Sequence, residues 1–250
     1  MRTEATRIVH RTAATSFRLL AALVAFAGGV VVFAPSALAG GDRQVASAEF
    51  TRTAPGASTG LDIEIDYVNP ADPAGKPPAV REIKLRLARP SRIDTGALPA
   101  CEADNATLQT SGAAACPDSR LGDGAVVLDT GFPEPVRFLA TDLTLLNATD
   151  EVIVLFQERE SGTRLASRAA IEGDTITTTA PLLPGTPPDG AAVDTVSETF
   201  EQAAAPGYLT TPKRCPSRGY WRNRLRFTYD DGTVQRVLSP SRCRSGDAAR

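Results

Sequence analysis

The sequence predicts an all-β protein, a disulfide-stapled β-sandwich of the Ig-like or jelly-roll-like kind, with little helix after an N-terminal signal peptide. Three observations lead to this fold class. Short runs of alternating apolar and polar residues recur, and period two is the pattern of a half-buried strand. Loops rich in proline and glycine separate these runs, near residues 69–80 and 181–190. Four cysteines follow the signal peptide. Many short strands between such turns indicate packed sheets.

The first strands of the predicted sandwich lie on either side of the loop at 69–80. Apolar and acidic residues alternate strictly over 61–67. After the loop, Ile83, Leu85 and Leu87 alternate with charged or small residues. Each run therefore has one apolar face for the core and one face for solvent.

Later strands are more uniformly apolar. Residues 152–156 are hydrophobic on both faces, so we expect this strand in the centre of a sheet. Residues 143–146 form the strand before it, and the β-branched run 176–179 forms a later one. Residues 181–190 are a proline- and glycine-rich loop, whereas residues 196–205 fit either a short helix or a strand.

The C-terminal segment predicts a β-hairpin. Residues 224–229 alternate between polar and apolar side chains, and a second run resumes over 233–238 after an Asp-Gly pair. Asp-Gly between two strand runs favours a two-residue turn in which both central residues have positive φ. That turn predicts a register in which Leu225 faces Leu238.

Residues 1–39 have the features of a secretory signal peptide. Basic residues precede an uncharged apolar run over 19–33, and Ala37-x-Ala39 is the small-residue pattern that signal peptidase cleaves. The apolar run is short for the ~30 Å hydrocarbon core of a bilayer, so cleavage is favoured over an uncleaved anchor. We expect residues 40–250 to form a single secreted, extracellular domain with no retained membrane span, periplasmic if the cell has an outer membrane.

The four cysteines are Cys101, Cys116, Cys215 and Cys243. Export to an oxidising compartment favours disulfides. Four cysteines allow three pairings, and we predict the sequence-local one, Cys101 with Cys116 and Cys215 with Cys243. A zinc site is not favoured, because it would need four distant thiolates without a Cys-x-x-Cys pair or a histidine.

The chain after the signal peptide lacks the residue types on which common catalytic sites depend. The single histidine, His10, lies in the signal peptide, so the exported part has no imidazole as general base, metal ligand or triad member. Without residues 1–39 the chain keeps 23 basic and 28 acidic side chains, a net charge of −5. Nucleic-acid binding is therefore not expected. With no nucleophile elbow or phosphate loop present, we predict neither an enzyme nor a cofactor.

Acidic residues supply one candidate site. Asp62, Glu64 and Asp66 stand on one face of a predicted strand, where they could bind calcium or supply the acid pair of a glycosidase. The favoured interpretation is the solvated face of an amphipathic strand. Residues 122–124 and 230–232 resemble fragments of calcium loops without the full ligand pattern, and we interpret both as turns.

Aromatic residues supply a second candidate site. Tyr220, Trp221 and Tyr229 are the only aromatic concentration, and an exposed group of this kind can stack on sugar rings as a ligand face. A single tryptophan near a disulfide more often fills a sandwich core, and we favour that role for Trp221.

Two cysteine motifs resemble a group of uncharacterised secreted proteins of actinobacteria. The first is Cys101 followed by Cys116-Pro117-x-Ser119-x-x-Gly122. The second is Pro212-x-x-Cys215-Pro216, then Trp221, Tyr229-x-Asp231-Gly232 and Cys243. The resemblance covers most of the chain after the signal peptide. It implies shared disulfides and a shared β fold, and it implies no activity.

Together these observations favour a secreted, non-catalytic binding or structural module, extracellular or associated with the cell envelope, whose ligand the sequence does not name. An envelope glycan or another secreted protein are the candidate partners. The alternative is a carboxylate-dependent polysaccharide hydrolase, because that chemistry needs two acids and no histidine. Two buried carboxyl groups that face each other in a groove would favour the hydrolase.

Overall fold

The computed structural model describes residues 41–244 except 182, 184 and 187–189, so the predicted signal peptide lies outside the described residues. Thirteen strands and one α-helix make up most of the described chain. The strands are β1 (Gln44–Phe50), β2 (Leu61–Tyr67), β3 (Val80–Arg86), β4 (Arg92–Ile93), β5 (Arg120–Asp129), β6 (Phe138–Ala148), β7 (Glu151–Glu158), β8 (Arg164–Glu172), β9 (Thr175–Thr179), β10 (Ala192–Thr199), β11 (Leu209–Thr210), β12 (Tyr220–Tyr229) and β13 (Val234–Arg242). The helix α1 is Asn105–Ser111. The all-β class with little helix is confirmed.

Eleven of the strands form one antiparallel sheet that is nearly closed into a barrel. Its order is β1-β2-β10-β5-β6-β7-β8-β9-β3-β12-β13, and β4 pairs separately with β11. The two packed layers that the sequence predicted are thus parts of one continuous sheet that curls round on itself. Strand β10 is inserted between β2 and β5 although it follows both by a long stretch of chain.

Side chains complete the seam where the edge strands β1 and β13 meet. The backbone N–H of Ala48 donates to Ser239 Oγ at 2.9 Å, and the N–H of Phe50 donates to Ser241 Oγ at 2.9 Å. From β12, Asn223 Nδ2 donates to the Ala48 carbonyl at 2.8 Å. These hydroxyl and amide groups satisfy backbone groups that an exposed edge would leave to water or to another chain.

The interior holds the main core. Residues Leu61, Ile63, Ile65 and Tyr67 of β2 are buried, while the residues between them are exposed. The same alternation runs along β12, so the period-two pattern of the sequence does define the inner face. Inner side chains from strands all round the sheet join in one apolar cluster.

A second apolar cluster lies on the outer face of β6, β7 and β8. Ile153 and Leu155 point outward from β7 and are covered by Leu108 of α1 and by the Cys101–Cys116 disulfide. Asp104 caps α1, because its carboxylate accepts a hydrogen bond from the Thr107 N–H at 2.8 Å. Residues 152–156 are apolar on both faces for this reason: one face lines the interior, and the other lies under α1.

Both predicted disulfides are present. Cys101 pairs with Cys116, and Cys215 pairs with Cys243, with Cα–Cα distances of 5.3 and 5.6 Å. The second bridge ties the chain before β12 to the residue that follows β13. It therefore closes the open end of the C-terminal hairpin.

The predicted register of that hairpin is wrong by one residue. Leu225 faces Val237, and Leu238 faces Arg224 and is 58% exposed. Only Gly232 of the turn has positive φ, and its N–H donates to the Tyr229 carbonyl at 3.0 Å. This is a three-residue loop that ends in a left-handed glycine, whereas the sequence argument assumed a two-residue turn. A one-residue shift moves every side chain of a strand to the other face.

Candidate functional site

A cavity of about 370 Å³ lies inside the curled sheet. Most of its lining is aliphatic and comes from strands all round the sheet, including Ile65 of β2, Val126 of β5, Leu143 of β6, Val154 of β7 and Ala169 of β8. Protein interiors are usually packed with few voids larger than a water molecule. Among the parts of the chain that the structure describes, this is therefore the leading candidate for a ligand site.

Large aromatic side chains pack against one another in the core. The ring of Phe50 meets Trp221 edge-on at 5.7 Å between centroids, and Tyr67 meets Phe227 edge-on at 6.0 Å. Trp221, Phe227 and Tyr229 are buried, yet none of them lines the cavity. The void remains where mostly alanine, valine, leucine and isoleucine side chains face inward, although three other aromatic side chains also belong to its lining.

An exposed ion pair marks one end of the cavity lining. Arg81, at the start of β3, and Asp230, just after β12, both line the cavity. Arg81 Nε lies 3.4 Å from Asp230 Oδ1, and Arg81 Nη2 donates to the Asp230 carbonyl at 2.8 Å. Their side chains are 58% and 35% exposed, so the cavity lining reaches solvent here. We call this pair the rim.

Glu198 of β10 is the one acidic side chain that lines the cavity away from the rim, among the described residues. It pairs across the sheet with Ile63 of β2, an inward residue, and Val196 and Phe200 line the same cavity on either side of it. Burial raises the pKa of the Glu198 carboxyl from 4.5 to about 7. The residue keeps some accessible surface, and it is one of the residues that line the cavity.

Tyr67 is the second polar group beside the cavity. Its side chain is buried, and its hydroxyl has no hydrogen-bond partner among the described residues. Burial raises the pKa of Tyr67, and the nearby Tyr229 and Glu198 raise it further. Along β2, Tyr67 lies four residues from Ile63, the residue that faces Glu198, so the two positions are about 13 Å apart along the strand.

Two glycines allow β5 to approach β10 closely beside Glu198. A Cβ added to Gly124 would lie 3.2 Å from Glu198 Cγ, and one added to Gly122 would overlap the backbone at Thr199. Residues 122–124 were interpreted as a turn, and that interpretation is wrong because they lie within β5. Their glycines provide room for the strand that carries Glu198.

The acidic candidates lie on the opposite face of the sheet. Asp62, Glu64 and Asp66 are exposed on the outer face of β2, where they pair with residues of β1 and β10. Within the described ranges, no three side chains of the His, Cys, Asp and Glu types are grouped as a metal site. The geometry leaves these carboxylates on a solvated strand face and away from the cavity.

The structure does not bring the three aromatic candidates together on one face. Trp221 is 2% exposed, and its Nε1 donates to the Arg214 carbonyl at 3.0 Å. Tyr229 is also buried on the inner face, where its hydroxyl bonds to Gln44. Tyr220 points outward, with the Arg218 guanidinium 5.3 Å from its ring centroid. A sugar-stacking platform would need all three rings exposed on the same side.

Comparison with protein-family models and with curated proteins did not identify a relative of the chain. The chain matches no protein-family model, and no curated protein matches it either. In the part of the chain that the structure describes, none of the helices has the length and apolar character needed to cross a bilayer. The interior cavity and the Glu198 side chain that lines it are therefore the features from which a function is proposed.

Glu198 is the residue that the sequence analysis missed. Residues 196–205 fitted either a helix or a strand, so no face could be assigned to it. The structure places residues 192–199 in β10 and residues 202–204 in a short 3₁₀-helix. With the strand established, Val196, Glu198 and Phe200 alternate on the inner face. The sequence did contain a signal for it: an acidic residue occupies a position where the period-two pattern has apolar residues on either side.

Proposed function

We propose that the protein is a non-catalytic binding protein that holds a small apolar molecule inside its curled sheet. The observation that carries this proposal is the aliphatic cavity of about 370 Å³, which lies within the range of ~300–1,000 Å³ typical of small-molecule sites. Such sites combine a mostly apolar wall with a few polar groups that orient the ligand. Glu198 matches that description, with Arg81 and Asp230 at the rim.

We further propose that the protein works after export, as a secreted or envelope-associated module. Two disulfides support this proposal, because such bonds persist mainly in oxidising compartments. An apolar ligand has low solubility in water, so a carrier outside the cytoplasm or in the envelope would hold it in a dry interior. A carrier of this kind needs no catalytic group.

A polysaccharide hydrolase is not favoured by the same geometry. That chemistry needs two carboxyl groups about 5–10 Å apart on either side of a polar substrate. Of the two acids that line the cavity, Asp230 sits at the solvent-exposed rim and is paired with Arg81. The lining around Glu198 is aliphatic, and a sugar would leave its hydroxyl groups there without partners.

The proposal is tested by binding of an uncharged fluorophore whose emission rises in an apolar site, such as N-phenyl-1-naphthylamine, to the oxidised protein. Ala169 lines the cavity, whereas its neighbour Ala170 is exposed on the other face of β8. We expect Ala169→Leu to weaken fluorophore binding about ten-fold or more by filling the cavity, and Ala170→Leu to leave it unchanged. The near-ultraviolet circular dichroism of each variant checks that the tertiary packing is retained.

Two results would contradict the proposal. The first is the absence of saturable binding to the wild-type protein by fluorophore or by lipid extracts of the cell envelope. The second is equal binding by the Ala169→Leu and Ala170→Leu variants, which would place the fluorophore outside the cavity.

A further inference from the structure

The carboxyl of Glu198 has no partner among the residues that the structure describes. It forms no hydrogen bond or ion pair with any described residue, and the other titratable side chains that line the cavity are Tyr67, Arg81 and Asp230. Arg81 is engaged with Asp230 at the rim. Buried charges in proteins are normally paired, because an isolated carboxylate in an apolar medium is costly. The described part of the molecule holds no such partner for Glu198.

Glu198 also lies at depth. Ala192, which begins β10, lines the cavity at the end where β3 begins and β9 and β12 finish. Glu198 comes six residues later in the same strand, which is roughly 20 Å along it at the usual rise of a β-strand. A long ligand that enters at the rim would therefore reach Glu198 with its leading end, and its tail would lie against the aliphatic wall.

The chemistry of Glu198 selects among the head groups that such a ligand can carry. A carboxylate head would place two acids side by side in an apolar site, where like charges repel strongly. A hydroxyl head supplies one neutral hydrogen bond. An ammonium head supplies the missing positive charge together with several N–H donors, and charge-assisted hydrogen bonds are about twice as strong as neutral ones.

Tyr67 stands nearer the rim than Glu198. It lies four residues along β2 from Ile63, which faces Glu198, and its hydroxyl is fully buried and not open to the cavity. The head group of the ligand is therefore recognised through Glu198.

We infer that the occupant of the cavity is a hydrophobic amine, whose ammonium group pairs with Glu198 while its hydrocarbon part fills the aliphatic wall. This inference rests on the proposed function, since it names the ligand class of the same cavity. It assigns Glu198 the role of ion-pair partner of the head group.

The test compares decylamine, decanol and decanoate, which share one tail, as competitors of the fluorophore at about pH 8. At that pH Glu198, with a pKa of about 7, is mostly ionised, and an alkylamine is protonated. We expect decylamine to bind about ten-fold or more tightly than decanol, and decanoate to bind least tightly, as expected for a hydrogen bond to a charged partner.

Glu198→Gln isolates the charge, because it keeps the shape of the side chain. The variant is expected to lose the preference for decylamine and to bind decanol within about three-fold of the wild type. Glu64→Gln, on the exposed face of β2, is the matched control and should change nothing. The wild-type affinity for decylamine should also fall as the pH drops below about 7 and Glu198 becomes protonated, while the variant shows no such fall.

The outcomes separate the two proposals. Equal binding of decylamine and decanol, or the same amine preference in Glu198→Gln, overturns the amine inference and leaves the cavity as an apolar site. Failure of both the fluorophore and every probe to bind the wild-type protein overturns the proposed function itself.

Discussion

Apolar side chains lie on both faces of the sheet. The two faces differ in whether a charged side chain beside them has partners. On the outer side, the Arg168 guanidinium of β8 donates to Asn105 Oδ1, to a carboxylate oxygen of Glu151 and to the Ala103 carbonyl at 2.8–3.0 Å. The leucine and isoleucine side chains of the outer cluster are covered by α1 and its disulfide. On the inner side, the Glu198 carboxyl lies beside empty space without a partner among the described residues.

This difference indicates two purposes for apolar surface in one molecule. The outer cluster holds the 101–116 segment against the sheet, and the charged side chain beside it, Arg168, has partners in that segment and in β7. The inner side keeps a void and an acid that a purely structural core would not retain. Mutations on the two sides should therefore lower the free energy of unfolding by different amounts.

The largest expected effect belongs to the filled part of the interior. Trp221→Ala should lower the free energy of unfolding by about 3–5 kcal/mol, because it removes a buried ring and its hydrogen bond to the Arg214 carbonyl. Urea unfolding measures the change. Tyr220→Ala, on the outer face of the same strand, is the control and should stay within about 0.5 kcal/mol. A loss below that value for Trp221→Ala would show that the ring is not part of the core.

The next effect compares two leucines of β6 directly. Leu146 belongs to the outer cluster, whereas Leu143 lines the cavity. Leu146→Ala should lower the free energy of unfolding by about 3–5 kcal/mol. Leu143→Ala should lower it by about 2 kcal/mol, because Leu143 already lacks neighbours on the cavity side. Equal costs in urea unfolding would mean that the inner side is as well packed as the outer one.

A smaller effect is the pH dependence caused by Glu198. Its pKa rises from 4.5 to about 7 on folding, so the folded state holds the proton more tightly than the unfolded state. The stability that Glu198 contributes in its protonated form is fully present below about pH 4.5 and is lost as the pH rises through about 7. We expect a fall of about 1–3 kcal/mol over this window.

Urea unfolding of the wild type and of Glu198→Gln between these pH values measures that contribution. The variant has no group to ionise at this position, so its curve should lack the fall. Parallel pH profiles for the two proteins would place the Glu198 carboxyl in contact with water. That result would also weaken the contrast between the two sides of the sheet.

Local features of the fold could be predicted from the sequence because they depend on neighbouring residues. Strict alternation identified β2, and the apolar run identified β7 as a central strand. The two disulfides join cysteines only 15 and 28 residues apart. For the hairpin, the sequence identified both strands but not the register, since turns of different length fit the same Asp-Gly pair.

The sequence by itself determined the β class, the loops, the disulfide pairing and the buried face of the regular strands, because each follows from the period of side chains or from short separations. Only the tertiary structure decided that the sheet is one continuous layer, that β10 enters between β2 and β5, and that Glu198 faces a cavity. Those features depend on which distant strands pair and on the volume that their inner side chains leave unfilled. Alternation along one strand carries no information about either.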